Sequence, residues 1–220
     1  MIIIMNKDIS SLSNLKEEVP EVANNTDLTY EIKLAEQARS GSKEAFCKLY
    51  GIYKDKLYRY ALYLLGNPED AEDAVSECVL AAWQNIASLR STSAFGAWIF
   101  RILRNCCMKN IKGKVALREN MERLYENGME SRASGGTDPS VLIELAEALS
   151  RLSDEEREIV LLSAVGGLTS SEISNITGLT SGSVRSKLSR SLSKMRDYLS
   201  YQSKCKEYFT IFSEWRVRNE

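Results

Sequence analysis

Residues 152–196, LSDEEREIVLLSAVGGLTSSEISNITGLTSGSVRSKLSRSLSKMR, carry three helix starts and a tight turn in a telling order. Ser153-Asp154-Glu155-Glu156 is a capping box, in which the serine oxygen accepts an orphan amide while Glu156 reaches back. Thr169-Ser170-Ser171-Glu172 is a second one. It opens a short helix with Ile173 and Ile176 on one face, which Gly178 can end in a left-handed conformation. Thr180 or Ser181 then caps a longer helix with Val184, Leu188, Ser191, Leu192, Met195 and Leu199 on its inner face. The opposite face carries Ser186, Ser189, Arg190 and Ser193, flanked by Arg185 and Lys187. A short capped helix, a glycine turn and a basic, hydroxyl-rich second helix spell a helix-turn-helix, which sets its second helix in a DNA major groove.

Composition looks wrong for a DNA binder until its distribution is read. The 220 residues suit one or two domains, with 44% hydrophobic and 27% charged residues and a net charge of −1. Arg101, Arg104, Lys109, Lys112, Lys114 and Arg118 form one basic block; Arg185, Lys187, Arg190, Lys194 and Arg196 form another. Acidic blocks lie between and before them, first Glu69, Asp70, Glu72, Asp73 and Glu77, then Glu144, Glu147, Asp154, Glu155, Glu156 and Glu158. Local sign decides what a surface attracts, so this pattern predicts nucleic acid plus a protein partner.

The chain has no histidine, which removes the commonest general base and metal ligand. With no phosphate-cradling glycine loop either, it is not expected to be an enzyme, and no metal or cofactor is implied. The five cysteines are odd in number and form no C-x-x-C pair, which predicts small buried hydrophobes in a reducing compartment. Cys106-Cys107 is the one cluster that invites a redox role. The apolar start Met1-Ile2-Ile3-Ile4-Met5 is too short for a signal or a membrane span, so no membrane insertion and a cytoplasmic location are expected.

Helical periodicity recurs along the chain, with no strand alternation. Ile32, Ala35 and Ala38 precede Gly41, and Ser42 caps a helix bearing Phe46, Leu49, Tyr53, Leu57, Tyr60 and Leu64. Asn67 and Pro68 start the next, which packs through Ala71, Ala74, Val75, Cys78, Val79, Ala82, Trp83 and Ile86. A polar loop, Ser88 to Ser93, leads to a third long helix with Phe95, Trp98, Ile99, Ile102, Leu103 and Cys106 inward. The spacing of Phe95, Trp98 and Ile102 favours core over base stacking. The fold class is therefore all-α: two helical modules joined by a flexible linker. Residues 1–27 read as a disordered tail, 28–125 as the first module, 126–140 as the linker and 141–199 as the helix-turn-helix module. Residues 200–220 form an extension whose role is not legible.

With both modules laid out, the chain from about Leu34 to Arg196 closely resembles the extracytoplasmic-function (ECF) class of bacterial sigma factors, the promoter-specificity subunits of RNA polymerase. Leu57-Tyr58-Arg59-Tyr60-Ala61 matches the first conserved block, and Asp70 to Glu77 followed by Ala82-Trp83 matches the second. Phe95 to Ile102 with Arg104-Asn105 matches the third and fourth; Leu168 to Ile173 and Gly182 to Leu188 match the C-terminal block. The resemblance implies that Asp73, Ser76 and Glu77 dock on core RNA polymerase. It implies that Arg90, Ser91, Thr92, Arg101, Arg104 and Asn105 hold the opened minus-ten strand of promoter DNA. Arg185, Ser186, Ser189 and Arg190 would read the minus-thirty-five element, arginine offering guanine a bidentate fork. The family often has a larger side chain at Ser189 and a cation at Leu192, so a weaker phosphate grip is expected here. An anti-sigma factor is a further implied partner. The rival from another class is an autonomous helix-turn-helix regulator that binds duplex DNA alone.

Overall fold

The computed structural model describes residues 26–110 and 139–201, and all regular structure among them is helical. The N-terminal tail, the linker and the C-terminal extension lie outside the described residues except at their inner edges, as do Lys112, Lys114, Arg118 and Cys205. The helices are α1 (Thr26–Arg39), α2 (Lys43–Leu65), α3 (Pro68–Asn85), α4 (Phe95–Asn110), α5 (Pro139–Ser150), α6 (Asp154–Ala164), α7 (Ser170–Thr177) and α8 (Ser181–Tyr201). The polar segment before α4 is more ordered than a loop: it holds two 3-10 turns, Ile86–Ser88 and Thr92–Ala94.

Two compact units emerge among the described residues, one of those up to Ile52 with Ile86–Phe95, the other of Tyr53–Asn85 with the described residues from Gly96 onward. In the first, α1 lies against both 3-10 turns, and Arg39 Nη1 donates to the carbonyl of Leu89 at 3.4 Å. Leu34, Ala35, Ala38, Leu49, Leu89 and Phe95 are buried there. Ser42 Oγ accepts from the Ala45 amide at 3.2 Å and so starts α2 as a cap should.

In the second unit, α4 meets α2 and α3. Phe100 stacks edge-on against Tyr60, centroids 5.5 Å apart, and the Cys78 thiol points at the carbonyl of Ile99. Gly96 permits a close approach, because a Cβ there would stand 2.9 Å from Tyr53 Oη. Helix α3 starts as its Asn67-Pro68 pair dictates, with Asn67 Oδ1 accepting from the Glu69 amide at 2.8 Å.

Helices α5 to α8 form the other part of this unit, with α8 packed on α5, α6 and α7. Both capping boxes are present and reciprocal, Ser153 with Glu156 and Thr169 with Glu172. Gly178 ends α7 at φ 81°, the left-handed conformation that glycine adopts without a Cβ penalty. Thr180, rather than Ser181, starts α8: its Oγ1 accepts from the Ser183 amide at 3.2 Å. Arg157 reaches back to the carbonyls of Leu149 (3.1 Å) and Leu152 (3.4 Å), satisfying acceptors at the end of α5.

An eight-residue helix cannot hold its shape by propensity alone, so α7 depends on its caps and on Ile173 and Ile176 beneath it. Thr169→Ala should therefore cost about 1 kcal/mol, seen as a lower urea midpoint with an unchanged slope.

Candidate nucleic-acid interface

Helix α8 presents Arg185, Ser186, Ser189 and Arg190 to solvent, all exposed, while Val184, Ser191 and Met195 are buried opposite them. Ser191 is tolerated at a core position because its hydroxyl donates to the carbonyl of Lys187 at 2.8 Å. Arg190 Nε lies back along its own helix, 3.2 Å from the carbonyl of Ser186. The neighbouring lysines are engaged: Lys187 pairs with Glu155 at 2.9 Å and Lys194 with Glu156 at 2.6 Å. The lysine on Glu156, and then the Ser153 amide, hold its carboxyl below the usual carboxylate range. A folded-state pKa below the unfolded one stabilises above the ordinary carboxylate range, and that stabilisation fades as pH falls through the lowered value.

The residues expected at the minus-ten strand divide between the two units. Arg90 and Ser91 are exposed and Thr92 half-buried, and the Ser91 and Ser93 hydroxyls lie 2.8 Å apart. On α4, Arg101 and Asn105 are exposed. Arg104 is different. Its guanidinium is paired with the carboxylate of Glu158 on α6, through Nε to Oε1 and through Nη2 to Oε2 at 3.4 Å. Glu158 is only 6% exposed. Beside them the buried Tyr60 hydroxyl has no hydrogen-bond partner among the described residues, and burial first, then the Glu158 charge, push its phenol well above the usual value. Phe95 is buried, as its helical spacing predicts, and Trp98 is half-buried.

Asp73, Ser76 and Glu77 are exposed on α3, away from the buried Ala71, Ala74, Val75, Cys78 and Ala82. Leu80, one turn further along that exposed side, is 41% exposed. Glu77 is also within 2.9 Å of Lys109 on α4.

Sequence reasoning missed Glu158 as anything but one acid of a block. The available signal was its register: Glu158 stands three and four residues before Leu161 and Leu162, on the face α6 buries. The partners of Lys187 and Lys194 had no local signal, since they come from a different helix.

An exposed acidic helix face, and a helix with exposed arginines behind a capped glycine turn, are the charge features of a protein that is helical throughout its described residues. Comparison with known proteins places it. The Sigma-70 region 2 family matches residues 49–115, and the Sigma-70, region 4 family matches residues 142–195. The ECF RNA polymerase sigma factor EcfG of Rhodopseudomonas palustris is 30% identical over 139 residues, 63% of this chain and 76% of that protein. The ECF RNA polymerase sigma factor SigW of Bacillus subtilis is 27% identical over 183 residues, covering 76% of this chain and 95% of that one. BldN of Streptomyces coelicolor, a sigma factor of the same kind, is 29% identical over 174 residues; the chain spans 63% of its length. In fold, the chain is similar to CnrH in complex with the cytosolic domain of CnrY, with a TM-score of 0.60 and 24% identity over 78% of this chain and 98% of that one. The sigma factor RpoE, solved with the anti-sigma factor NepR from Bartonella quintana, gives 0.52 and 24% over 70% of this chain and 96% of that one. The chain belongs to the ECF class of the sigma-70 family of RNA polymerase sigma factors.

Of the described cysteines, Cys78, Cys106 and Cys107 are buried and Cys47 is half-buried. Burial, then Cys106, push the Cys107 thiol up to about 12, and burial, then Cys106 and Cys107, raise Cys78 further. No group of side chains among the described residues could hold a metal ion. The redox role that Cys106-Cys107 invites thus meets a thiol held in its unreactive form. In the native protein at pH 8, iodoacetamide should label Cys78 and Cys107 on the order of a thousandfold more slowly than after denaturation, read by peptide mass mapping.

Proposed function

We propose that this sigma factor is a non-enzymatic initiation subunit that acts in the cytoplasm. It binds core RNA polymerase through α3, then directs promoter recognition and DNA melting with two readers. The first is α4 with the segment before it, where Arg90, Ser91, Thr92, Arg101, Arg104 and Asn105 hold the opened minus-ten strand. The second is α8, where Arg185, Ser186, Ser189 and Arg190 read the minus-thirty-five element. The corresponding division of the chain is 28–125 and 141–199. No helix among the described residues is long and apolar enough to cross a membrane.

The observation that carries this reading is the separation of charge by helix face. Asp73, Ser76 and Glu77 turn outward from a buried stripe on α3, while Arg185 and Arg190 turn outward from another on α8. An acidic face and a basic face on different helices suit a protein partner and DNA held together. An anti-sigma partner belongs to the proposal through family membership, since the likeness to the RpoE–NepR structure is one of fold.

Asp73→Arg with Glu77→Arg should abolish promoter-directed transcription. Reversed charges facing a basic partner cost several kcal/mol at a close interface. Circular dichroism should be unchanged while pull-down of core polymerase fails. Normal polymerase binding by the double variant would reduce this face of α3 to a solvated surface, and nanomolar binding of duplex DNA by the free protein would favour an autonomous regulator.

Arg190→Ala should cost about 1–3 kcal/mol of promoter binding by the holoenzyme and relax preference at one upstream base pair. A uniform loss over all promoters with a smaller salt slope would make Arg190 a phosphate contact instead.

A further inference from the structure

Helix α1 ends in a closed corner, and that corner carries an arginine. The Ser42 amide donates to the carbonyl of Gln37 at 3.0 Å and the Gly41 amide to that of Ala38 at 2.9 Å, with Gly41 at φ 99°. These paired bonds make a Schellman closure, which fixes the last turn of α1 and the backbone at Arg39 within it. Ala35 and Ala38 are fully buried on the same helix, which lies against both 3-10 turns of the segment before α4.

The two turns close by themselves. The Leu89 amide donates to the carbonyl of Ile86, and the Ala94 amide to that of Ser91, each at 3.1 Å. Neither bond uses the carbonyl of Leu89, which stands between the turns in a residue only 3% exposed. A buried backbone acceptor needs a donor, and Arg39 Nη1 supplies one at 3.4 Å from 50 residues away in sequence. A peptide group is planar, so holding its oxygen sets the whole plane and constrains the φ of the next residue. That residue is Arg90, exposed and outside either turn, with exposed Ser91 after it. No helix defines the backbone there. The direction in which the Arg90 side chain leaves the protein therefore depends on the plane that Arg39 holds.

We propose that Arg39 is a positioning residue for promoter reading: it fixes the Leu89–Arg90 peptide so that Arg90 meets one base of the opened minus-ten strand from a set direction. Arg39 itself touches no DNA and acts through Arg90. The proposal rests on the reading of Arg90 as a minus-ten contact. A base contact tolerates little angular error, so freeing one peptide plane blurs the base that is read before it weakens the fold.

The test uses the holoenzyme and a pool of random-sequence duplex fragments, enriched by binding and sequenced. Arg90→Ala should lose preference at one base of the minus-ten motif. Arg39→Ala should blur that same base, lowering discrimination there about tenfold, while the minus-thirty-five motif, the salt slope and the affinity for core polymerase stay as they were. Arg39→Gln, too short to reach the carbonyl but polar and helix-favouring, should do the same, and serves if the alanine variant folds poorly. Arg39→Lys keeps a donor of similar reach and should select the native motif. Combining Arg39→Ala with Arg90→Ala should add nothing to Arg90→Ala alone, because one residue acts through the other. Equal weakening of every sequence, with all base preferences kept, would make Arg39 merely structural and overturn the proposal. A salt slope lowered by about one, with losses that add to those of Arg90→Ala, would overturn it too, since Arg39 would then grip a phosphate directly. If Arg90→Ala changes no preference, the minus-ten reading of Arg90 falls and the positioning role falls with it. If Arg90→Ala blurs a base that the Arg39 variants leave sharp, the positioning role alone falls.

Discussion

The buried face of a helix decides which of its polar side chains can meet a ligand, and α4 shows this most clearly. Ile99, Phe100, Leu103 and Cys107 are fully buried and Cys106 nearly so. In helical projection these positions form one continuous arc, and Phe100 lies at its edge. Arg101 and Asn105 fall well outside the arc, whereas Arg104 falls next to Phe100. That position makes Arg104 half-buried and brings it to Glu158. The packing that fixes α4 on α2 and α3 thus also decides which of its polar side chains stand in water and which meets a carboxylate.

Much of this was written locally in the chain. A capping box needs only four consecutive residues, so both boxes could be read directly, as could the left-handed Gly178 and the Asn67 cap. The outward placement of Asp73, Ser76 and Glu77 follows from helical phase against Ala71, Ala74, Val75 and Cys78. What escaped depends on neighbours distant in sequence. Phe100 and Cys107 widen the buried face of α4 beyond the stripe that three- and four-residue spacings mark, because α4 meets more than one helix. The 3-10 turns before α4 hide in a polar segment whose composition also fits an irregular loop. Helix α1 begins at Thr26, earlier than its apolar periodicity suggests, and α5 begins at Pro139, where proline suits a first helical turn. The burial of Glu158 was detectable only as a charge in an apolar register, a signal that needs its partner before it can be interpreted.

One acid of the helix-turn-helix serves twice. Glu156 accepts the Ser153 amide at 3.1 Å to close its capping box and also holds Lys194. Glu155 holds Lys187. These pairs brace α8 against α6 while reducing the positive field that its exposed face projects. The exposed arginines at 185 and 190, with the serines at 186 and 189, are left to define that face. A chain whose net charge is −1 suits a factor that relies on a protein partner for much of its hold on DNA, where avidity replaces intrinsic grip.

Helix α5 is stapled on two sides. Arg157 bonds the carbonyls near its end, the Tyr198 hydroxyl donates to Glu147 at 2.6 Å, and the Arg151 guanidinium covers the Tyr198 ring at 4.2 Å. In mechanical terms α5 is the root of a lever and α8 its arm. The arm has 21 residues, about 30 Å of helix, so a five-degree turn at the root sweeps the tip by about 3 Å. That is close to the rise of one base pair. A small adjustment where α5 is held would thus be magnified several-fold at the far end of α8.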